Sequence, residues 1–300
     1  MQSVSRFCET WILILLRQSH IIREVQIDIR DIRTFSEYQA CAQLQLEVWG
    51  FPELDVVPAG QLVAIHRYGG TCIGAFDGDR VVGFVFGFPG FSHGRIFHHS
   101  HMLAVKPEYR GQRLGEHLKW AQCDGLLAQS VLLVNWTFDP LQALNANLNI
   151  NRLGVVSQKY ILNLYGESQS PLHGGIPTDR LEAEWHLDSE RVNNIRTSQL
   201  DDFPLWEDLP RANRSLVRDS GLLACAPGLE LELEDAAVLV EVPKEYTDLM
   251  ATDRELALDW RYQTRQIFQA YFMRGYQVQG LHRSRHSAYY RLEKKISAVA

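Results

Sequence analysis

The sequence predicts an α/β (α+β) fold, and three stretches carry that expectation. Thr71 to Phe76 and Val81 to Phe88 flank Asp77-Gly78-Asp79-Arg80, an Asp-Gly turn that joins two apolar strands into a β-hairpin. Leu103-Ala104-Val105 reads as a buried strand that stops at Pro107, and Gly111 and Gly115 bracket the first turn of an amphipathic run reaching Gln129. Ala237 to Val242 reads as a strand ending at Pro243, followed by a helix from about Asp248 to Arg274; Gly275-Tyr276 then opens a strand over Gln277 to Leu281, with Ala288 to Leu292 last.

The chain has 300 residues and is 46% apolar, so it can bury a large core at a length where chains often divide. The expected layout is an N-terminal extension over 1–22, a main domain over 23–166, a loop-rich connector with one strand over 167–235, and a C-terminal α/β unit over 236–300. A net charge of −6 and an isoelectric point near 6.0 argue against nucleic acid or an anionic membrane as a partner, since either needs a basic footprint. Cys8, Cys41, Cys72, Cys123 and Cys225 are scattered, odd in number and without a Cys-x-x-Cys pair, and read as reduced thiols of a cytoplasmic protein. The run Trp11 to Leu16 is too short for a membrane span or a signal core.

Each element has a local reason. Val25, Ile27 and Ile29 alternate as one face of a first strand. Thr34 or Ser36 caps a helix to about Val48, whose stripe is Tyr38, Cys41, Ala42, Leu44 and Val48. Gly50-Phe51-Pro52 breaks it, Pro58 starts a second helix to about Arg67, and Gly69-Gly70 ends that one. After the hairpin, Pro89 to Gly94 reads as a loop and Arg95 to Val105 as a strand. In the helix from Gly111, the residues Leu114, Leu118, Ala121 and Gly125 form the apolar stripe, leaving Arg113, Glu116, Lys119 and Asp124 off it. Val131 to Trp136 is a strand bounded by Asp139-Pro140; a helix through Leu141, Leu144 and Leu148 ends at Leu153-Gly154; Val155 to Tyr165 resumes strand character. Gly174 to Arg180 is a loop into the strand Leu181 to Leu187, and Asp201 to Pro227 is a connector rich in acids and turns. The order strand, proline, helix, glycine and apolar residue occurs twice, over 132–155 and 238–276, which suggests a degenerate repeat.

The helix opening at Gly111 presents unpaired amides at the positive end of its dipole, an arrangement suited to an anion. The spacing Arg110-x-x-x-x-Gly115 behind an apolar strand resembles motif A of the GNAT acyltransferase superfamily, with Arg113 where that family usually carries glycine. The strand, helix and Leu153-Gly154 that follow resemble motif B, so the resemblance spans about Val25 to Tyr165. It implies a mixed, mainly antiparallel central sheet flanked by helices, and the internal repeat suggests the C-terminal α/β extension as a degenerate half-GNAT unit. The run Pro177-Thr178-Asp179-Arg180 with Glu184-Trp185 is similar to a subgroup of long predicted acetyltransferases, which adds no substrate.

The ligand the resemblance implies is acetyl-CoA or another acyl-CoA as co-substrate, without a metal. By the same resemblance Leu103, Ala104 and Val105 face the pantetheine arm, Arg110, Gly111, Gln112, Arg113, Leu114 and Gly115 face the pyrophosphate, and Asn147 is a further contact. Trp49, Phe51 and Asp55 border the acceptor site, with Trp136, Asp179 and Arg180 as further candidates. Strand alternation places His99 and His101 on one face and His98, Ser100 and Met102 on the other, which makes His99 and His101 the candidate bases. A metal held by these two histidines lacks a nearby acid or thiol ligand. Ile150 stands where many relatives place a tyrosine that protonates the thiolate; the neighbouring Asn145, Asn147, Asn149 and Asn151 can bind pantetheine or water but are not acids, leaving water, Tyr160 or Tyr165. The expected activity is N-acetyl transfer to a small amine by a monomer or homodimer. The alternatives are an acyl-CoA-binding protein with weak or lost catalysis and an aminoacyl transferase of paired GNAT units.

Overall fold

A computed structural model of the protein describes residues 26–92, 94–166, 175–197 and 206–295. The Trp11 to Leu16 run, the extension over 1–22, Cys8, Val25, His93, Gly174 and the opening of the 201–227 stretch lie outside the described residues.

The first strand β1 (Ile27–Asp31) leads into α1 (Phe35–Trp49). Thr34 caps α1 in a reciprocal capping box: its hydroxyl accepts from the Glu37 N–H at 3.3 Å, and the Glu37 carboxylate accepts from the Thr34 N–H at 3.1 Å. The helix α2 (Ala59–Arg67) precedes the hairpin β2 (Thr71–Asp77) and β3 (Arg80–Ser92). The expected loop at Pro89 to Gly94 is mostly strand, because β3 continues to Ser92 and pairs with β4 (Arg95–Val105), placing Pro89 opposite His98. Next come α3 (Leu114–Leu127), β5 (Leu133–Phe138) and α4 (Ala143–Asn147), which runs into a π turn over Leu148–Arg152. The expected strand over 155–165 shrinks to a bridge at Val156 and β6 (Tyr160–Ile161), and β7 (Arg180–His186) follows.

These strands form one sheet in the order β1-β2-β3-β4-β5-β7-β6, antiparallel throughout except for the β4–β5 pair. The stretch expected as a one-strand connector therefore supplies β7 to the interior of the main sheet, and it also holds α5 (Glu190–Arg196) and the small hairpin β8 (Ser215–Val217) and β9 (Leu223–Cys225). On one sheet face, α1 and α2 pack Tyr38, Cys41, Leu44 and Leu62 against Phe84, Phe86 and Ala104. On the other, α3 packs Leu114 and Leu118 against Ile73, Ala75, Val82 and Val85.

The C-terminal unit holds β10 (Ala237–Pro243), α6 (Tyr246–Thr252), α7 (Arg254–Met273), β11 (Tyr276–Arg283) and β12 (Ser287–Lys294), with sheet order β10-β12-β11. The single helix expected over 248–274 is two, because Asp253 leaves helical geometry and caps α7 through the Leu256 N–H at 3.0 Å. Its core is continuous with that of the main sheet: Trp136, Phe138, Ile150 and Trp185 belong to the same buried cluster as Trp260, Phe268, Tyr276 and Tyr290. A buried ion pair crosses the contact, with Arg261 Nη2 2.7 Å from Asp139 Oδ2.

Candidate active site

The strands β4 and β5 pair only at His98 with Val134 and His99 with Asn135, and then separate. From Ser100 to Val105 the β5-facing edge of β4 therefore has no strand partner among the described residues and lines one wall of a cleft of about 920 Å³. An unpaired edge of this kind offers main-chain donors and acceptors to an extended ligand that carries amides.

One end of the cleft is the turn before α3. Gly111 has φ +80° and Arg113 φ +59°, so both occupy the left-handed region, and Arg113 does so without the glycine that region favours. Among the described residues no side chain caps α3, and its first bond to the cap runs from the His117 N–H to the Arg113 carbonyl at 3.1 Å. The amides of Leu114, Gly115 and Glu116 thus lack intrahelical partners. Arg110, Arg113, Arg152 and Arg283 all line this cleft. The Arg113 Nε donates to Glu116 at 2.9 Å, which occupies the one acid among the lining residues. Arg152 and Arg283 make no ion pair among the described residues and add positive charge where an anion would sit. The sequence reading missed both, since Arg152 lies in the π turn and Arg283 reaches the cleft from β11.

A β-bulge shapes the middle of the cleft. Met102 pairs with Phe86 and Ser100 with Gly87, so His101 is an extra residue on β4. The bulge overturns the expected alternation. Ser100 bonds to Gln122 of α3 and His98 approaches it, Leu103 and Val105 also pack on the α3 side, and Met102 and Ala104 pack with the α1 and α2 cluster. His101 lines the cleft; His99 does not, and its Nδ1 lies 2.9 Å from Asn135 Oδ1. Loss of hydration against Phe86 and Phe88, with a smaller push from His99, holds the His101 pKa below the ordinary histidine value.

The asparagines fall in and beside the π turn, where Leu153 N–H bonds back five residues to the Leu148 carbonyl at 3.1 Å. Asn145, Asn147 and Asn149 line the cleft, whereas Asn151 turns away and bonds to the Leu281 backbone. Asn149 is 2% exposed and its Nδ2 has no hydrogen-bond partner among the described residues. Ile150 is fully buried in the core, and the turn closes at Gly154 (φ +79°), where an added Cβ would come within 3.1 Å of Ile195.

Of the remaining expected residues, Trp49 and Trp136 line the cleft. Phe51 stacks on Trp49 at 5.2 Å without reaching it, and Asp55 is exposed in a single 3₁₀ turn. Gln112 is exposed outside the cleft, and the Ala104 side chain is buried at 1% exposure. Asp179 and Arg180 are buried away from the cleft: Asp179 accepts from Arg265 at 2.8 and 2.9 Å and from Tyr160 at 3.0 Å, while Arg180 lies 3.8 Å from Asp139. Tyr160 is therefore committed to Asp179, whereas the Tyr165 hydroxyl sits 3.5 Å from Thr137, a cleft residue. The expectation also put Glu116 and Lys119 off the apolar stripe of α3; both are buried, because the helix faces the parting β4 and β5 as well as the sheet.

Residues 32–133 match the family model described as the acetyltransferase (GNAT) family. Over those residues the chain matches a GNAT acetyltransferase domain. Solved structures similar to it include the ribosomal-protein-S18-alanine N-acetyltransferase of Escherichia coli, at 15% identity and a TM-score of 0.44, covering 54% of this chain and 95% of that one. The polyamine N-acetyltransferase of Drosophila melanogaster is similar at 16% identity and a TM-score of 0.41, covering 53% of this chain and 99% of that one. A GNAT-family acetyltransferase of Streptococcus pneumoniae is similar at 11% identity and a TM-score of 0.43, covering 53% and 98%. No curated protein matches the sequence. Among the described residues no helix is long and apolar enough to cross a membrane, and no group of three or more His, Cys, Asp or Glu side chains could hold a metal ion.

Proposed function

We propose that this GNAT domain transfers the acyl group of acetyl-CoA, or of another acyl-CoA, to the amine of a small acceptor. One observation carries the reading: a single cleft joins an uncapped, arginine-flanked helix start to an unpaired strand edge and an orphaned buried amide on Asn149. A pyrophosphate suits the first, and the amides of a pantetheine arm suit the second and third. Acyl-CoA supplies the activated thioester. The rest falls to this chain's residues: the β4 edge orients the arm, and Trp49 with Phe51 behind it walls the acceptor side. His101 takes a proton from the acceptor ammonium so that the resulting amine can attack, and a main-chain N–H at the bulge polarises the carbonyl.

Calorimetry with acetyl-CoA tests the reading. A Gly115→Ala change should be tolerated, since a Cβ there would make ordinary contacts with the Leu103 and Val105 side chains at 3.5 and 3.9 Å. Gly115→Glu should reduce affinity by at least about 100-fold, because a carboxylate would stand beside the pyrophosphate. Unchanged affinity in Gly115→Glu would remove the cradle from the proposal. The core position of Ile150 favours a second reading, a CoA-binding module without turnover. Binding without CoA release across a panel of small amines would select it.

A further inference from the structure

Lys119 is buried at 3% exposure in the notch where β4 and β5 part, and it lines the cleft. Its Nζ donates to Ser100 Oγ at 2.8 Å and to Gln122 Oε1 at 3.1 Å, and it lies 3.6 Å from the centre of the Trp136 ring. A hydroxyl, an amide oxygen and an aromatic face thus meet the three N–H directions of an ammonium. Neighbouring bonds fix that polarity: the Ser100 hydroxyl itself donates to Gln122 Oε1 at 2.9 Å, and Gln122 Nε2 donates to Thr71 at 2.8 Å.

What the site lacks is a counter-charge, since Lys119 makes no ion pair among the described residues. From β4 it faces His98, which burial and then Lys119 itself push down to about 3, so that ring is neutral. On its own helix it faces Cys123, which burial pushes up to about 11, and Glu116 one turn earlier is held by Arg113. From β5 and β7 the indoles of Trp136 and Trp185 face it. A buried cation with no anion is costly, and an anion delivered to the notch would offset that cost. Five residues of β4, about 16 Å at ~3.3 Å per residue, separate Val105 beside the phosphate turn from Ser100 at the notch. That is roughly the reach of a pantetheine arm.

Resting on the acyl-CoA reading above, we infer that Lys119 receives the coenzyme sulfur at the closed end of the cleft and protonates the thiolate as it leaves. The acceptor nitrogen, having lost its proton to His101, forms the new C–N bond. The C–S bond breaks with its electron pair on sulfur, and one N–H proton of Lys119 passes to it to give a free thiol; the new amide nitrogen sheds its second proton, which restores the Lys119 ammonium. Burial, which lowers the Lys119 pKa well below the ordinary lysine value, favours that transfer. Lys119 thereby takes the place left by Ile150.

The test needs no acceptor. The thiol of CoA bound to the wild-type protein is titrated by its thiolate ultraviolet absorbance, with bound desulfo-CoA as the blank. A cation at the sulfur should lower the thiol pKa by about one unit or more relative to free CoA. Lys119→Met and Lys119→Gln should return it to the free value or above while binding desulfo-CoA within about threefold of wild type. An unshifted thiol in the wild-type complex overturns the inference without any variant, as does an equal shift in both variants. Acetylation of Lys119 itself, read by intact mass after incubation with acetyl-CoA, would make it a nucleophile and overturn the acid role. Failure of the wild type to bind CoA at all would instead overturn the acyl-CoA reading.

Discussion

His101 sets the residue-scale expectation. The deprotonated ring is the form that can accept a proton, and its pKa lies below the ordinary 6.5 because its aromatic surroundings strip hydration and His99 adds repulsion. The acyl-transfer rate should therefore rise with pH through a midpoint below 6.5 and stay level across neutrality. His101→Ala should lower the limiting rate about 100-fold and leave the affinity for acetyl-CoA unchanged; a wild-type pH profile in that variant would exclude the ring from proton transfer. His99 was equally legible in the sequence as a candidate. The distinction between the two comes from one unpaired residue in the β3–β4 ladder, and composition carries no sign of a bulge.

At the scale of elements, the entry to α1 is the local device with the clearest sign. Thr34→Ala removes the hydroxyl half of the capping box and should cost about 1 kcal/mol in urea unfolding. Glu37 completes the box and also bonds to Arg30 at 2.8 Å; that bond, with the two backbone N–H donors, draws its pKa from 4.5 down to about 2. A depressed carboxyl stabilises the fold fully above the unfolded value and loses that contribution as pH falls through the folded value. Stability should accordingly decline between about pH 4.5 and 2, and Glu37→Gln should flatten the curve in that window. The capping box, the Asp-Gly hairpin and the strand-to-helix turn were all readable from sequence, because each depends on neighbours within a few positions. The π turn after α4 was not. It inserts one residue into a helical run, and that shift buries Ile150 and leaves Asn149 with an unpaired amide at the cleft.

For the whole molecule, the main sheet and the C-terminal unit share one buried cluster with a charged pair inside it. Burial would raise the Asp139 pKa, but Arg261 outweighs it and holds the carboxyl ionised. Arg261→Ala should destabilise the protein by about 3 kcal/mol, since it strands a buried carboxylate, and the nearby Arg180 only partly compensates. A Asp139→Asn, Arg261→Met double variant should recover most of that loss in denaturant unfolding. The shared core also predicts one calorimetric transition. Two resolved transitions would show that the C-terminal sheet unfolds by itself. Arg283 is the functional consequence of this contact, because it brings a cation from β11 to the cleft that the first half of the chain builds.

The strand-to-helix turn at Arg110 to Gly115, the hairpin ahead of it and the helix behind it were determined by the sequence alone. Proline, glycine and apolar alternation act within a few residues and need no distant partner. Tertiary structure decided which side chains share the cleft. It admitted His101 and Asn149, drew in Arg152 and Arg283, and committed Asp179, Arg180 and Tyr160 to buried bonds. It also buried Lys119, which helical periodicity places off the apolar stripe of α3. The reason is geometric: α3 lies across a gap between two parting strands, so a second face of the helix is buried, and one helical period cannot encode two faces.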